Sequence, residues 1–308
     1  MEKSEVSSDI YSSKFIGDGI VDAGVMFSAK THRIKAQIES IIDRNRYRSP
    51  KNQIRYVVIN NSTDTSVQSG TTYSRRSGLI DAITISRNDP NSAIDILHEL
   101  DEQSKETIPI VFIDEVQFLP IKFMETIFRF KNEKRRQWIA GLSKDFRGEK
   151  FETMDVIKEI FSFYVDIKPN CTFDVDGEQC GQDASNTVRV IDNANYPLKT
   201  PIKYYKSNDD GSNREIKNGF FAPYWDKTIL PRDSKGIDYT VVCEEHFKVP
   251  RTDETKQIYE AIKKVHYINK NDLLKNFNRF EDLEQILGFL SIERNIKIDG
   301  DKYIFSYK

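Results

Sequence analysis

What this chain can fold into is constrained most by a strand-length apolar run, Ile108, Ile110, Val111, Phe112 and Ile113, that ends in two carboxylates, Asp114 and Glu115. A strand apolar at successive positions cannot present one face to water. It belongs in a parallel sheet covered on both faces. In open α/β sheets ligands gather at the carboxyl ends of strands, which puts Asp114 and Glu115 where chemistry is usually placed. An aspartate there is suited to Mg²⁺, directly or through water, and the next carboxylate can take a different task. The same two residues would also serve merely to end a strand, so their neighbours have to decide.

Upstream, Gly24-Val-Met-Phe-Ser-Ala-Lys-Thr31 has the spacing of a phosphate-binding loop, G-x-x-x-x-G-K-[ST], with Ala29 in place of the second glycine. Such a loop cradles phosphate oxygens with backbone N–H groups, neutralises them with a lysine and offers a hydroxyl to Mg²⁺. Lys30 and Thr31 supply the last two functions. A glycine lost at a position of positive φ is costly, and a chance Lys-Thr at a helix start is the competing reading. Ile34, Ile38, Ile41 and Ile42 predict a helix over 33–45.

Further along, Ile54–Asn60 predicts a second strand, Ile80–Ile85 a short one, Ser92–Gln103 a helix, Ile121–Lys131 another helix and Gln137–Gly141 a further strand. The alternation indicates α/β architecture, a parallel sheet with helices on both faces. Arginines in Ser74-Arg-Arg-Ser-Gly78 could reach phosphate oxygens or simply face solvent.

Composition bears on compartment and partners. Charged residues make up 31% of 308, yet the formal net charge is −2, which argues against a nucleic-acid binder of the strongly basic kind. No apolar run approaches the roughly 18–20 residues that cross a bilayer, and the acidic, serine-rich start has no signal-peptide pattern. These features predict a cytoplasmic protein without a membrane partner. Residues 1–18 predict a disordered tail. The three cysteines, Cys171, Cys180 and Cys243, are too few and odd for a disulfide framework. With His246 they make a Cys₃His set, a regular tetrahedral structural zinc combination; ordinary buried thiols are the alternative. His32, His98 and His266 have no partner pattern.

Several motifs in order resemble the type II thymidine kinase family. The family's G-P-M-F-S-G-K-T is similar to 24–31, its D-E-x-Q-F to Asp114-Glu-Val-Gln-Phe118, and its G-L-x-x-D-F-R-G-E-x-F matches Gly141–Phe151 at every fixed position. The family's S-R-x-G resembles 75–78, with Arg76 in the arginine position. Its zinc knuckles resemble Cys171 and Cys180, with a lengthened spacing, and Cys243-Glu-Glu-His246. Its C-G-x-x-A-x-x-T-x-R resembles Cys180–Arg189, and its lasso Y-x-x-V-C resembles Tyr239–Cys243, although Ser234-Lys235 stand where the family has Gly-Gly.

The resemblance implies a RecA-like P-loop sheet over 19–165, a small zinc-binding lasso lobe over 166–250, and ATP, Mg²⁺ and structural Zn²⁺ as cofactors. It implies phosphoryl transfer from ATP to the 5′-hydroxyl of thymidine or deoxyuridine, inhibition by thymidine triphosphate and a homotetramer. Gly24, Met26, Phe27, Ser28, Ala29, Lys30, Thr31, Asp114, Gln117 and Arg76 would hold the nucleotide. Glu115 would be the general base. Phe146 would stack on the base, with Met26, Leu142 and Thr187 around its 5-position, Phe118 nearby and Tyr239 in the lasso; Arg147 is a further phosphate contact. Two departures, Ala29 and Ser66 in place of the family's Asp-x-Arg arginine, keep open a P-loop ATPase or a degenerate regulatory nucleotide-binding protein. A non-enzymatic scaffold is a third possibility.

The polar segment Asp192–Tyr224 reads as an insertion in the lobe. Residues 251–308 fall outside the resemblance. Ile258, Ala261, Ile262 and Val265 give one helical face, Asp272–Phe277 a second helix, Leu283–Leu290 a third, and Ile296–Phe305 a hairpin with an Asp-Gly turn. This predicts a winged-helix-like α+β appendage whose charges nearly cancel, suited to a partner or to oligomerisation as much as to nucleic acid.

Overall fold

A computed structural model of the chain describes residues 19–61, 71–74, 78–81, 83–85, 109–192, 202–207, 214–221, 237–248, 252–277, 283, 286–287, 290, 296–300 and 302–305. The tail at 1–18, the helix expected at Ser92–Gln103, Ser66, Arg76 and His98 lie outside them. The chain divides into two compact units, Met1–Lys144 with Lys150–Lys168, and Asp145–Glu149 with Pro169–Lys308.

The first unit is built on six strands: β1 (Ile20–Gly24), β2 (Tyr56–Asn61), β5 (Ile83–Ile85), β6 (Ile110–Ile113), β7 (Gln137–Leu142) and β8 (Phe163–Ile167). Their order is β5-β2-β6-β7-β1-β8, and every neighbouring pair is parallel. The expected Ile80–Ile85 strand is two elements. Gly78–Asp81 (β4) pairs antiparallel with Thr71–Ser74 (β3), and only Ile83–Ile85 joins the sheet.

Alternation along the strands sorts side chains to two faces. Ile110, Phe112, Val58, Trp138 and Ala140 pack against Ile34, Ile38 and Ile41 of helix α1 (Lys30–Asn45). Val111, Ile113, Val57, Ile59 and Ile139 pack with α2 (Phe123–Asn132) and α3 (Glu152–Ile160). All four residues of β6 are buried, as a strand covered on both faces requires. Each such aliphatic side chain contributes about 1.5–3 kcal/mol over an exposed one. This is the RecA-like arrangement, in which the strand carrying Asp114 lies one strand removed from the strand that enters the phosphate loop.

In the second unit, Asn186–Asp192 (β11), Ile202–Ser207 (β12), Arg214–Phe221 (β13) and Ile237–Val242 (β14) form an antiparallel sheet ordered β12-β13-β11-β14. Thr172 joins its two outer strands. Its N–H donates to Val241 O at 2.9 Å, and its carbonyl accepts Tyr205 N–H at 2.8 Å, which rolls the sheet closed. The segment read as a polar insertion thus supplies two strands of the lobe. Its period-2 signal was faint because few inward positions are apolar, among them Tyr204 and Phe221, while Lys206, Glu215 and Lys217 share their face and Lys203 and Asn218 lie opposite each other on the outer one.

Beyond it, α4 (Thr252–Val265), β15 (Tyr267–Asn269), α5 (Lys270–Phe277), the helical residues Leu283, Ile286, Leu287 and Leu290, and the hairpin β16 (Ile296–Asp299) and β17 (Lys302–Phe305) share one core. Ile258, Ile262, Leu273, Ile286, Leu287, Leu290 and Ile296 fill it, and the strands pair β15-β17-β16. Ile191, at the end of β11, is buried in that same core.

Candidate active site and metal centre

The loop after β1 turns sharply at Gly24, where φ is 152° and an added Cβ would lie 2.3 Å from the Ile167 carbonyl oxygen. No other residue fits. Phe27 and Ala29 follow at φ 61° and 59°, so the position lacking its glycine does require the left-handed region. A non-glycine residue there costs about 1–2 kcal/mol. Arg33 N–H donates to Ala29 O at 3.0 Å, the first hydrogen bond of the helix. Lys30 is 6% exposed. Its ammonium donates to Val25 O at 2.7 Å and to Ser28 Oγ at 2.9 Å. Burial pushes its pKa below the ordinary lysine value; the charges of Glu115, Asp114, Asp22 and Asp166 oppose that shift.

Thr31, in the first turn of α1, aims its hydroxyl at the end of β6, where it donates to Asp114 Oδ2 at 2.8 Å. Asp114 Oδ1 accepts Glu115 N–H at 3.0 Å, holding the turn that puts Glu115 at φ 52°. The Val116–Phe118 helical turn then returns Gln117, which donates to the Glu115 carboxylate and accepts Leu142 N–H at 2.9 Å. Glu115 is thus oriented by a side chain anchored to β7. Close packing is needed here too: a Cβ on Gly141 would approach Met154 Sδ and Val116 Cγ1 at 2.7 Å and Gln117 Oε1 at 2.9 Å. Phe118 packs edge-on to Phe151, centroids 6.0 Å apart. A cationic loop, a hydroxyl and two carboxylates therefore converge at the ends of β1 and β6, an arrangement suited to a metal-bound polyphosphate.

Met26 and Leu142 also belong to the first unit, whereas Phe146, Arg147, Thr187 and Tyr239 belong to the second. Phe146 lies edge-on to Tyr239 at 6.1 Å, and the Arg189 guanidinium stands 5.2 Å over the Phe146 ring. Arg189 pairs across the strands with Tyr239 and hydrogen-bonds to it. Burial raises the Tyr239 pKa; the Arg189 charge and hydrogen bond work against the rise. Thr187, 2% exposed, precedes Arg189 by two residues on the same strand face. Arg189 is a site residue that motif matching alone does not single out; its spacing of two from Thr187, which sets both on one strand face, is the signal for it. Arg147 closes a turn, bound through Nε to Asp145 Oδ2 at 2.6 Å and ion-paired with Glu149 at 2.7 Å.

Cys171, Cys180, Cys243 and His246 converge, with all ligand atoms within 4.8 Å of one another. Cys243 Sγ is 3.2 Å and Cys171 Sγ 3.7 Å from His246 Nδ1. A tetrahedral zinc with Zn–S of about 2.3 Å fits between such atoms. Burial pushes the Cys171 thiol up to about 12, the situation a cation reverses. The long Cys171–Cys180 spacing is a hairpin, Asp174–Val175 (β9) with Glu178–Gln179 (β10), turned at Asp176 and Gly177 with φ 53° and 91°. Phe173 stacks on His246 at 4.2 Å and fixes the ring. This cluster can hold a metal ion.

The thymidine kinase family profile matches residues 20–206. A thymidine kinase of Mycoplasmoides gallisepticum is 29% identical over 157 residues, covering 50% of this chain and 55% of that protein. The chain therefore spans about half the length of that curated relative. Among the described residues no helix is long and apolar enough to cross a membrane.

Proposed function

The chain belongs to the thymidine kinase family, and from that premise we propose that it transfers the γ-phosphoryl group of ATP to the 5′-hydroxyl of thymidine or deoxyuridine. The observation that carries this reading is the hydrogen bond of Thr31 to Asp114 beside buried Lys30. Lys30 and the loop N–H groups hold the transferring phosphates, and Thr31 and Asp114 form the Mg²⁺ seat. When bound, Mg²⁺ supplies charge neutralisation on the phosphate oxygens. Catalysis in this chemistry is mostly positioning and electrostatics. Glu115, oriented by Gln117, accepts the proton of the attacking hydroxyl. In the second unit Phe146, with the Arg189 guanidinium over its ring, stacks on the pyrimidine, with Thr187 and Tyr239 beside it. Leu142, Met26 and Phe118 complete the nucleoside set, and Cys171, Cys180, Cys243 and His246 bind structural Zn²⁺. Thymidine triphosphate would compete at the same site; a homotetramer and a cytoplasmic location follow from family resemblance.

Purified protein with ATP, Mg²⁺ and a nucleoside panel tests the reading. ADP should form with thymidine and deoxyuridine and not with purine nucleosides. ATP turnover indifferent to nucleoside would overturn it in favour of a P-loop ATPase.

A further inference from the structure

A carboxylate with no part in the proposed chemistry lies beneath the phosphate loop. Asp22, on the middle of β1, is fully buried on the sheet face that packs α1. Its Oδ2 accepts Arg33 Nε at 2.8 Å and Trp138 Nε1 at 2.7 Å. The Arg33 guanidinium also lies 5.7 Å over the Trp138 ring. The other oxygen, Oδ1, is buried without a hydrogen-bond partner among the described residues. Burying this charge is expensive, and its pKa is raised by that burial even though Arg33 and Trp138 favour the ionised form. A buried pair of this kind is weak evidence for stability and better evidence for fixed geometry.

The geometry it fixes is that of the loop. Arg33 holds Asp22 with its side chain and donates its backbone N–H to Ala29 O at 3.0 Å. Ala29 is the residue forced to φ 59°. One arginine therefore connects the strand entering the loop to the strained residue leaving it, and Trp138 ties both to β7. We propose that Asp22, Arg33 and Trp138 form a clamp that holds the loop in its phosphate-binding shape and compensates for the missing glycine at Ala29, with Asp22 as the positioning residue. The proposal rests on the reading of this loop as the ATP site.

The test is a double-mutant cycle on the full chain, Asp22→Asn, Ala29→Gly and both together, with KM for ATP and for thymidine and the thermal midpoint measured for each. Asp22→Asn keeps the shape, and Arg33, 30% exposed, can be solvated, so the thermal midpoint stays near wild type or rises. KM for ATP rises about tenfold while KM for thymidine holds. Adding Ala29→Gly, which removes the need for the clamp, restores most of that loss. Trp138→Phe, which loses the indole N–H together with part of the ring that packs in this core and under Arg33, shifts KM for ATP in the same direction and also lowers the thermal midpoint, which Asp22→Asn does not. If wild type shows ATP-dependent stabilisation and Asp22→Asn has an unchanged KM for ATP, or if Ala29→Gly does not rescue it, the clamp is overturned alone. A wild-type chain that ATP does not stabilise overturns the ATP-site reading and the clamp with it.

Discussion

The Thr31 hydroxyl donates to the Asp114 carboxylate at 2.8 Å, joining residues 83 apart in the chain across the ends of β1 and β6. Both are oxygen ligands of the kind Mg²⁺ takes, and the hydrogen bond fixes the two side chains relative to each other. Replacing Asp114 with Asn keeps the volume and one acceptor and removes the charge. The Mg²⁺ concentration giving half-maximal activity should rise about 10-fold to 100-fold. A Mg²⁺ titration of thymidine-dependent ADP release checks this, and an unchanged requirement would remove Asp114 from the metal seat.

Glu115 is held by Gln117, which is itself anchored by Leu142 N–H. For Glu115→Gln, nucleotide-dependent thermal stabilisation should persist while turnover falls by about 10² or more. Gln117→Glu removes the amide donor and sets a second carboxylate against Glu115, so turnover falls with little change in KM for ATP. Steady-state kinetics on both variants decide it. Wild-type turnover in Glu115→Gln would exclude Glu115 as the base.

Much of the first unit was legible because its signals are local. The run at Ile110–Ile113 demanded a strand buried on both faces, and the isoleucines of α1 recur on one helical face. Other elements were not legible, for identifiable reasons. Strand β8 is an edge strand whose short apolar run is interrupted by Asp166, and none of its residues is fully buried, Phe163 and Asp166 being exposed. Strands β12 and β13 carry Lys203, Lys206, Arg214, Glu215 and Lys217 among their apolar residues, and they are strands because Thr172 and β11 offer them hydrogen bonds, a long-range fact no window of sequence contains. Lys30 and Thr31 stand out by loop spacing and Asp114 by its place at a strand's carboxyl end, and the structure hydrogen-bonds Thr31 to Asp114. The Asp22–Arg33–Trp138 clamp does not stand out, since an aspartate inside an apolar strand and an arginine on a polar helix face carry no shared motif.

The Cys₃His cluster yields a prediction independent of catalysis. Metal analysis of the purified protein should find roughly one zinc per chain. Cys243→Ser should lose it, and His32→Ala, outside the cluster, should retain it. Because structural zinc contributes on the order of 10 kcal/mol to small lobes that cannot close without it, chelation should lower the apparent thermal midpoint and abolish thymidine-dependent stabilisation. Full zinc occupancy in Cys243→Ser would place the metal elsewhere.

Lys30 gives the alkaline behaviour, and stability and activity should move in opposite directions. Burial lowers its pKa from the ordinary 10.5, with Glu115, Asp114, Asp22 and Asp166 opposing. Only the charged ammonium neutralises phosphate, and kcat/KM for ATP reports the free enzyme. That parameter should therefore fall as pH rises through the Lys30 pKa, on a limb beginning below 10.5. For stability the sign reverses. A lysine whose folded pKa lies below its unfolded value destabilises the fold while charged, and this cost fades as pH climbs from the folded toward the unfolded value. Lys30→Arg, which does not titrate in this range, should lose activity through altered geometry yet show no such limb. Profiles of kcat/KM for ATP and of the thermal midpoint over the same pH range separate the two effects. A midpoint that collapses together with kcat/KM would assign the alkaline loss to unfolding rather than to Lys30 giving up its proton.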